Sequence, residues 1–582
     1  MKLNKDLNKI CGILLAKTLK DLYEDVALGD IEVGDANLAN EYGFSYSFNC
    51  KERINKELFP KIIKQMKKNI DRAYKISYEK ISNGQALDIF KDDQFKLELI
   101  NDRKGKIDVV KFGEDFVDLC EQLSINKLSS IKKIELVNVA GVYWRHNANN
   151  VQLQSISGVA FENDEQLTAY QQEIKDRQER DHRNINNKME LFAFDLMAGQ
   201  GLPFWLPNGA AIKYEIDNYI HRLLQMNEYM YVETPLLGTK QLYETSGHWF
   251  HYRENMFPSF NIDEITQVLR PMTCPHHLLV YKMKPRSYRE LPFRVYENAI
   301  LHRYESSGSL TGLERVRQMR LIDCHIVCTH DQIKEVVSKH YAIIKQAAET
   351  LGITSYYSID LSLHDKNDKK KFFDNEQLWE AAENNLRKVL KGMDIKYNEC
   401  VGEAAFYGPK IDIQIKTALG HIITAFTVQL DFLLPQKFDL QYKDQSGSIK
   451  QPVLVHASVI GTLERFMSIL LEQNKGVFPL WLAPVQVEII PVDNKKHLHG
   501  CQKIHQSLLN NLIRSKLIDS DDRLSKKIRD AQVRKVPFQL VVGDKEIESN
   551  EISYREYGKQ DSVNLSLDNF VKLLKERINE HK

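Results

Sequence analysis

The chain has 582 residues, 43% hydrophobic and 27% charged, which fits a globular protein of three or four domains and excludes a disordered chain. Its formal net charge is +1, so bulk charge announces no nucleic-acid partner, although local clusters of Lys and Arg can still bind one. The eight cysteines are scattered without a CxxC pair, which excludes a disulfide framework, and no stretch approaches the roughly 18 apolar residues of a membrane span, so the chain reads as soluble and cytoplasmic.

In chain order, MKLNKDLNKICGILLAKTLKDLY has a short apolar run followed by charges and predicts an amphipathic helix, not a signal peptide. Residues 1–162 mix short helices and strands and end in the strand-like run KKIELVNVAGVYWRHNANNVQLQSISGVAF. A polar segment at 163–182 with sparse apolar positions predicts an exposed connecting helix. From 183 to 479 the strands are long and irregularly spaced: FRVYENAILHRYE, MRLIDCHIVCT, KIDIQIKTALGHIITAFTVQLDFLL and PVLVHASVI. Strands and helices without regular βαβ alternation predict an antiparallel α+β sheet. From 480 to 582, helices and strands alternate after WLAPVQVEIIPV, which predicts a small α/β unit on a parallel or mixed sheet.

Two peptides in the second half carry candidate chemistry. In FRVYENAILHRYESSGSLTGLERVR, Arg303 and Glu305 lie two apart and share a strand face. A guanidinium there suits a phosphate and a carboxylate suits an adenine amino group; the same pair also reads as a surface ion pair. In SVIGTLERFMSILLE a small-residue turn enters an amphipathic helix holding Arg465, which reads either as a ligand for a triphosphate tail or as an ordinary helix arginine.

HRYESSGSLTGLERVR resembles motif 2 of class II aminoacyl-tRNA synthetases, GTLERF resembles motif 3, and YVETPLLGTKQLYETSGHWFHYRENMF resembles motif 1 and its continuation, with Pro235 as the motif 1 proline. With LRPMTCPHH, FYGPKIDI, TVQLDF and WLAPVQV, the chain is identified as a member of the threonyl-tRNA synthetases, of bacterial type, from about residue 5 to the C-terminus. The resemblance implies an α+β multidomain fold: a class II antiparallel core at 183–479, an α/β anticodon-binding domain at 480–582, and an N-terminal α+β editing-like domain at 1–162 joined by the 163–182 helix. It implies activation of L-threonine by ATP with Mg2+, transfer to tRNA(Thr), and a homodimer built on motif 1.

Carried over by position, the resemblance gives Arg303 to the α-phosphate, Glu305 to the adenine amino group, and Arg315 and Arg465 to the β- and γ-phosphates. Cys274, His325 and His456 are linked by no spacing rule, and each alone reads as a core or surface residue. The resemblance implies that together they hold one zinc per subunit, with Asp323, Tyr407 and Gln429 lining the threonine pocket and Cys324, Cys328, His276 and His277 as packing or surface residues. Several positions depart from the family. Met319 stands where an aromatic ring would stack on adenine, Leu321 replaces a glutamine, Thr424, Ala425 and Phe426 replace a smaller run and put a large side chain near the ATP pocket, and Ala457 replaces an arginine. Two other readings remain: another class II synthetase, or a non-catalytic RNA-binding paralogue.

In the first block, AGVYWRHNANNVQLQSISGVAF resembles the end of the family's editing domain, but the editing positions read Lys9, Ile13, Cys120 and Ser124, so three imidazoles are missing and editing is expected to be lost. The β-grasp domain that precedes editing in many members is also expected to be absent, since editing-like sequence begins near residue 5. In the last block the resemblance places Arg529, Glu546 and Arg555 at the anticodon and Lys535 at an arginine position.

Overall fold

The computed structural model describes residues 3–34, 43–147, 150–353, 356–418, 420–549 and 551–582. Two compact units result: Met1–Gln178 with Leu419–His421, and Glu179–Ala418 with Ile422–Lys582.

In the first unit, the helix Lys5–Leu22 starts at Asn4, whose side chain accepts from the Leu7 N–H at 3.1 Å. The sequence predicts an amphipathic helix here, yet every residue from Leu7 to Leu19 except Lys9 is buried. It is wrapped by the helix Phe59–Asp71 and by a four-stranded antiparallel sheet ordered Ala27–Val33, Phe44–Asn49, Gln152–Phe161, Lys133–Tyr143. Its polar residues turn inward only with partners: Asn8 accepts from the Ala160 N–H at 2.8 Å, and the Thr18 hydroxyl donates to the Leu14 carbonyl at 2.8 Å. A buried polar triad completes the unit. The Lys96 ammonium lies 2.5 Å from Asp118 and 3.0 Å from the Tyr46 hydroxyl, which donates to Asp118 at 2.6 Å. Each buried charge there is held by its partner, the condition under which such a pair is tolerated.

The segment 163–182, expected as a connecting helix, holds the helix Asp164–Arg180, and a second helix, His182–Met189, follows it. Asp181 breaks it by capping the second helix, accepting from the Arg183 N–H at 2.9 Å.

The second unit is built on an eight-stranded sheet ordered Met230–Tyr231, Phe293–His302, Gln318–Cys328, Val453–Thr462, Ile422–Asp431, Lys410–Lys416, Ser358–Leu363, Asn398–Val401. All pairs are antiparallel except the outermost pair at each edge, in agreement with the expected α+β core. The pleat of the third strand sorts its residues. Ile322, Cys324, Ile326 and Cys328 enter the main core beneath helices that include Pro207–Met226 and Ile333–Thr350, while Met319, Leu321, Asp323 and His325 face the other way. The C-terminal sheet is ordered Ser515–Leu517, Val487–Pro491, Phe538–Val542, Glu551–Glu556, Ser562–Ser566, parallel over its first three strands and antiparallel beyond, the mixed α/β arrangement expected. Arg514 seats it on the core: it donates to the carbonyls of Ala483 and Trp481 at 3.0 and 2.6 Å and pairs with Glu215 on the helix Pro207–Met226. Among the described residues no helix is long and apolar enough to cross a membrane.

Candidate active site

On the face of the sheet away from the core, Cys274, His325 and His456 converge, all buried, with ligand atoms within 4.8 Å of one another. Each arrives on a different element. Cys274 opens the helix Cys274–Lys282, His325 lies in the third strand, and His456 is its register partner in the fourth. The protons of the surrounding network can be placed one by one. His277 Nε2 lies 3.2 Å from Glu297, which accepts, so in the neutral ring His277 Nδ1 is left with a lone pair. That lone pair sits 2.8 Å from His325 Nδ1, which therefore carries the proton, and His325 Nε2 is left bare. On the other side His456 Nε2 donates to Asp431 at 2.8 Å, which leaves His456 Nδ1 bare. The two bare nitrogens face each other at 3.0 Å.

Two lone pairs pointed at each other in a buried site repel unless a cation lies between them. Their separation is close to the roughly 3.3 Å between two imidazole ligands of a tetrahedral zinc. The thiol fits the same reading. Burial, with Asp323 and Asp431 nearby, raises Cys274 well above the usual thiol range, so a thiolate there needs a positive charge beside it. Burial and the neighbouring His277 and His456 hold His325 well below its usual value, in the neutral state that ligates. The donor set and its outer partners thus fit a zinc ion.

The partners were missed by sequence reasoning. His277, set aside as a packing or surface residue, is buried and orients His325. It lies three residues after Cys274 on a helix, hence on the same face, and that periodicity was the available signal. Behind it Glu297 is held by Arg270 at 2.7 Å and by the Thr234 hydroxyl at 2.6 Å, and Arg270 also donates to the Ile300 carbonyl at 2.8 Å. Asp431 accepts from the Leu433 and Leu434 N–H groups at 2.8 and 2.9 Å while it holds His456.

The expected pocket residues gather around this centre. Asp323 is buried and accepts from the Thr273 hydroxyl. The Tyr407 hydroxyl donates to Gln429 at 2.6 Å, and its ring stacks on His456 with centroids 4.9 Å apart. His248 packs against Phe406 and Tyr407; burial, with His456 and Lys437 nearby, pushes it down to about 3, so it stays neutral. Met319 joins Leu301, Val316, Ala299 and Leu321 in a small apolar cluster on the same face as Asp323 and His325. Phe426 was expected as a large side chain near the ATP pocket; it points the other way, buried in the main core with its ring 6.5 Å from that of Phe466. The pleat gives the reason, since Thr427 and Gln429 face the site and Phe426 and Val428 therefore face the core. Ala457 follows His456 and is buried in the same core.

The three phosphate-candidate arginines also meet. Burial lowers Arg465 below the usual guanidinium range, and Arg303 and Arg315 push the same way. Arg303 donates to the Pro271 carbonyl at 3.2 Å, Arg465 to the Glu314 carbonyl at 3.1 Å, and Arg315 lies 3.9 Å from Glu305. Like charges gathered in this way, each anchored by a backbone or carboxylate contact, make an arrangement that can hold an anion.

The remaining expectations scatter. Arg529 is exposed on the helix Leu524–Val533, and Arg555 is half-buried on the strand Glu551–Glu556. One Glu546 oxygen is occupied, accepting from the Gly543 N–H at 2.8 Å. Lys535 donates to the Lys475 carbonyl, so it fastens the C-terminal sheet to the core. In the first unit Lys9 pairs with Glu121 at 2.5 Å, Ile13 is fully buried, and Ser124 donates to Asp6 through its N–H at 2.8 Å and its hydroxyl at 2.5 Å. Burial pushes the Cys120 thiol up to about 12.

The family described as tRNA synthetase class II core domain (G, H, P, S and T) matches residues 259–474, and the anticodon binding domain matches residues 486–577. The chain is 46% identical over 582 residues to a threonine–tRNA ligase of Ureaplasma parvum serovar 3, covering 99% of both chains. It is 44% identical over 560 residues to that of Staphylococcus carnosus, covering 96% of this chain and 86% of the relative. Among solved structures, the RNA binding domain of threonyl-tRNA synthetase from Cryptosporidium parvum Iowa II matches with a TM-score of 0.64 at 33% identity, over 68% of this chain and 98% of that one.

Glu297 gives a pH signature. Burial pushes its carboxyl up, but hydrogen bonds from His277, Arg270 and Thr234 together outweigh that and hold it at about 2, against an ordinary 4.5. A carboxyl lowered on folding contributes stability above its unfolded value and loses it as pH falls through the folded one. The difference in urea stability between wild type and Glu297→Gln is therefore largest above pH 4.5 and narrows as pH falls toward 2. A difference that stays constant across that window excludes the assignment.

Proposed function

The chain belongs to the threonine–tRNA ligase family and catalyses ATP-dependent threonylation of tRNA(Thr), and on that premise we propose that one zinc ion per subunit, held by Cys274, His325 and His456, selects the amino acid. The observation that carries the reading is the pair of bare imidazole nitrogens facing each other beside a buried thiol. When bound, zinc with three protein ligands offers an open position to a substrate bearing both an amino group and a β-hydroxyl. Threonine has both and valine only the first, whereas an apolar pocket would separate these near-isosteres by only about 1–3 kcal/mol.

The protein residues then divide the work. Asp323 accepts from the substrate hydroxyl or ammonium, and Tyr407 and Gln429, locked to each other, wall the pocket. The Met319 cluster supplies an apolar bed for adenine, and Glu305 takes its amino group. A threonine carboxylate oxygen attacks the α-phosphorus of ATP, the bond to the bridging oxygen breaks, and pyrophosphate leaves with the electron pair. Arg303 steadies the α-phosphate, and Arg315 and Arg465 hold the departing phosphates together with Mg2+. Such chemistry relies on positioning and charge stabilisation. The terminal ribose hydroxyl of tRNA then attacks the threonyl carbonyl and AMP leaves. Arg529 and Arg555 contact the anticodon, with Glu546 supporting the loop it caps. The reading places the enzyme in the cytoplasm, where tRNA is charged.

ATP–pyrophosphate exchange on the purified protein is expected with threonine above serine and not with valine, alongside about one zinc per chain by elemental analysis. Exchange with valine at the threonine rate, or full exchange in protein without zinc, excludes zinc-based selection.

We further propose that the first unit has lost editing. Its family histidine positions hold an ion pair, a core isoleucine and a serine already bonded to Asp6, none of which moves a proton as imidazole does at neutral pH. Serine lacks only a methyl of threonine, so the pocket makes some seryl-tRNA(Thr). Supplied seryl-tRNA(Thr) is expected to decay at its spontaneous rate in the presence of the enzyme, and rapid deacylation would refute the loss.

Finally, we propose a homodimer. The support is that large apolar side chains are exposed through residues 194–265, among them Phe194, Leu196, Met197, Tyr214, Phe260 and Ile262. Light scattering is expected to give twice the 67.7 kDa chain mass, and a monomeric mass at micromolar concentration rejects it.

A further inference from the structure

A second buried cluster lies outside the pocket, where Asp181, His182 and Glu472 bring their ligand atoms within 4.8 Å of one another. It is not a metal site, because its donor atoms are spent. His182 Nε2 accepts from the Leu313 N–H at 3.1 Å, so the ring proton is on Nδ1, which donates to Glu472 at 2.7 Å. The other Glu472 oxygen accepts from the Ala418 N–H at 2.6 Å, and Asp181 is forked by Arg183 at 3.0 and 2.6 Å. His182 is fully buried, and one tautomer satisfies both of its nitrogens.

What the imidazole holds is the turn that carries two ATP-site groups. The turn closes on itself between Thr311 and Arg315, with Leu313 buried in the main core. The next residue, Glu314, gives its carbonyl to Arg465, and Arg315 follows. Glu472 lies on the helix Leu463–Gln473 that also carries Arg465, two turns further along and on the same face. His182 is thus a strut between the turn bearing Arg315 and the helix bearing Arg465. Gly312 shows how tightly the turn is pressed on it: at φ +46°, a Cβ there would lie 2.2 Å from His182 Nε2.

We propose that His182 is a positioning residue for ATP: its neutral ring, with the tautomer fixed by Glu472, holds the Leu313 N–H and so sets the spacing of Arg315 and Arg465 around the phosphates. The proposal rests on the phosphate-binding reading of those two arginines. His182 touches neither substrate, and its effect is confined to the ATP side because the zinc donors and Asp323 hang on other partners.

The test is ATP–pyrophosphate exchange by the full-length zinc enzyme carrying His182→Leu, His182→Ala or His182→Gln, with Arg465→Ala as reference. Gln carries an acceptor and a donor at a spacing similar to the two ring nitrogens; Leu keeps the bulk without either. Leu and Ala are expected to raise the KM for ATP about tenfold, the scale of one buried hydrogen-bonded pair, with the KM for threonine and the zinc content unchanged, and Gln to restore ATP binding to within about threefold. Should the Leu and Ala proteins not fold, Gly312→Ala displaces the same turn with His182 intact and is expected to give the same ATP-selective rise. The assignment is overturned if the ATP and threonine constants move together, if Gln is as defective as Leu, or if Gly312→Ala leaves the KM for ATP unchanged. Arg465→Ala that loses exchange while the His182 variants keep wild-type constants rejects only the strut; Arg465→Ala that keeps full exchange rejects the phosphate reading and the strut with it.

Discussion

A row of polar groups is buried along one face of the eight-stranded sheet, and it is tolerated only because each proton has one place to be. From Arg270 through Glu297, His277 and His325 to His456 and Asp431, every donor meets an acceptor until the two ring nitrogens that face each other. A carboxylate held by fixed donors stands behind each side, Glu297 behind His277 and Asp431 behind His456, so neither imidazole can turn its lone pair away without breaking a bond behind it. The fit of the site to a cation is therefore set by residues that would not touch it. The same row ties Thr234, through Arg270 and Glu297, to the cluster of Cys274, His325 and His456.

The pleat of the sheet does the rest of the sorting. Residues two apart share a face, so Met319, Leu321, Asp323 and His325 line one surface as a graded strip, apolar at Met319 and Leu321 and polar at Asp323 and His325. The residues between them fill the core. This is why the departures near TVQLD are less disruptive than their size suggests: Phe426 and Ala457 fall on the core side, where volume matters and charge does not. Leu321 falls on the site side and joins the apolar strip, so there the chemistry of the pocket has shifted toward packing.

The two units show contrasting fates of buried polar residues. In the second, they converge on a site with lone pairs left over. In the first, Lys9 pairs with Glu121 and Ser124 with Asp6, beside the closed Lys96–Asp118–Tyr46 triad. Groups that satisfy one another in this way contribute to stability. His182 is the intermediate case: saturated like the first unit, yet attached to a turn whose next two residues reach the ATP site.

By itself the sequence determined the family and the candidates for the groups that do chemistry, because motif residues such as Arg303, Glu305 and Arg465 sit in local patterns that survive without coordinates. It also raised the expectation that the first unit lacks imidazoles, since Lys9, Ile13 and Ser124 are read directly from the chain. Only the tertiary structure decided which residues act together. Cys274, His325 and His456 are separated by 51 and 131 positions, and no spacing rule reaches across such gaps; strand register and one helix terminus bring their ligand atoms within 4.8 Å of one another. The outer partners were illegible for the same reason. His277 and His182 look like ordinary histidines in the chain, and what each ring can hold follows from which nitrogen donates and which accepts, a property fixed by neighbours up to 290 residues away.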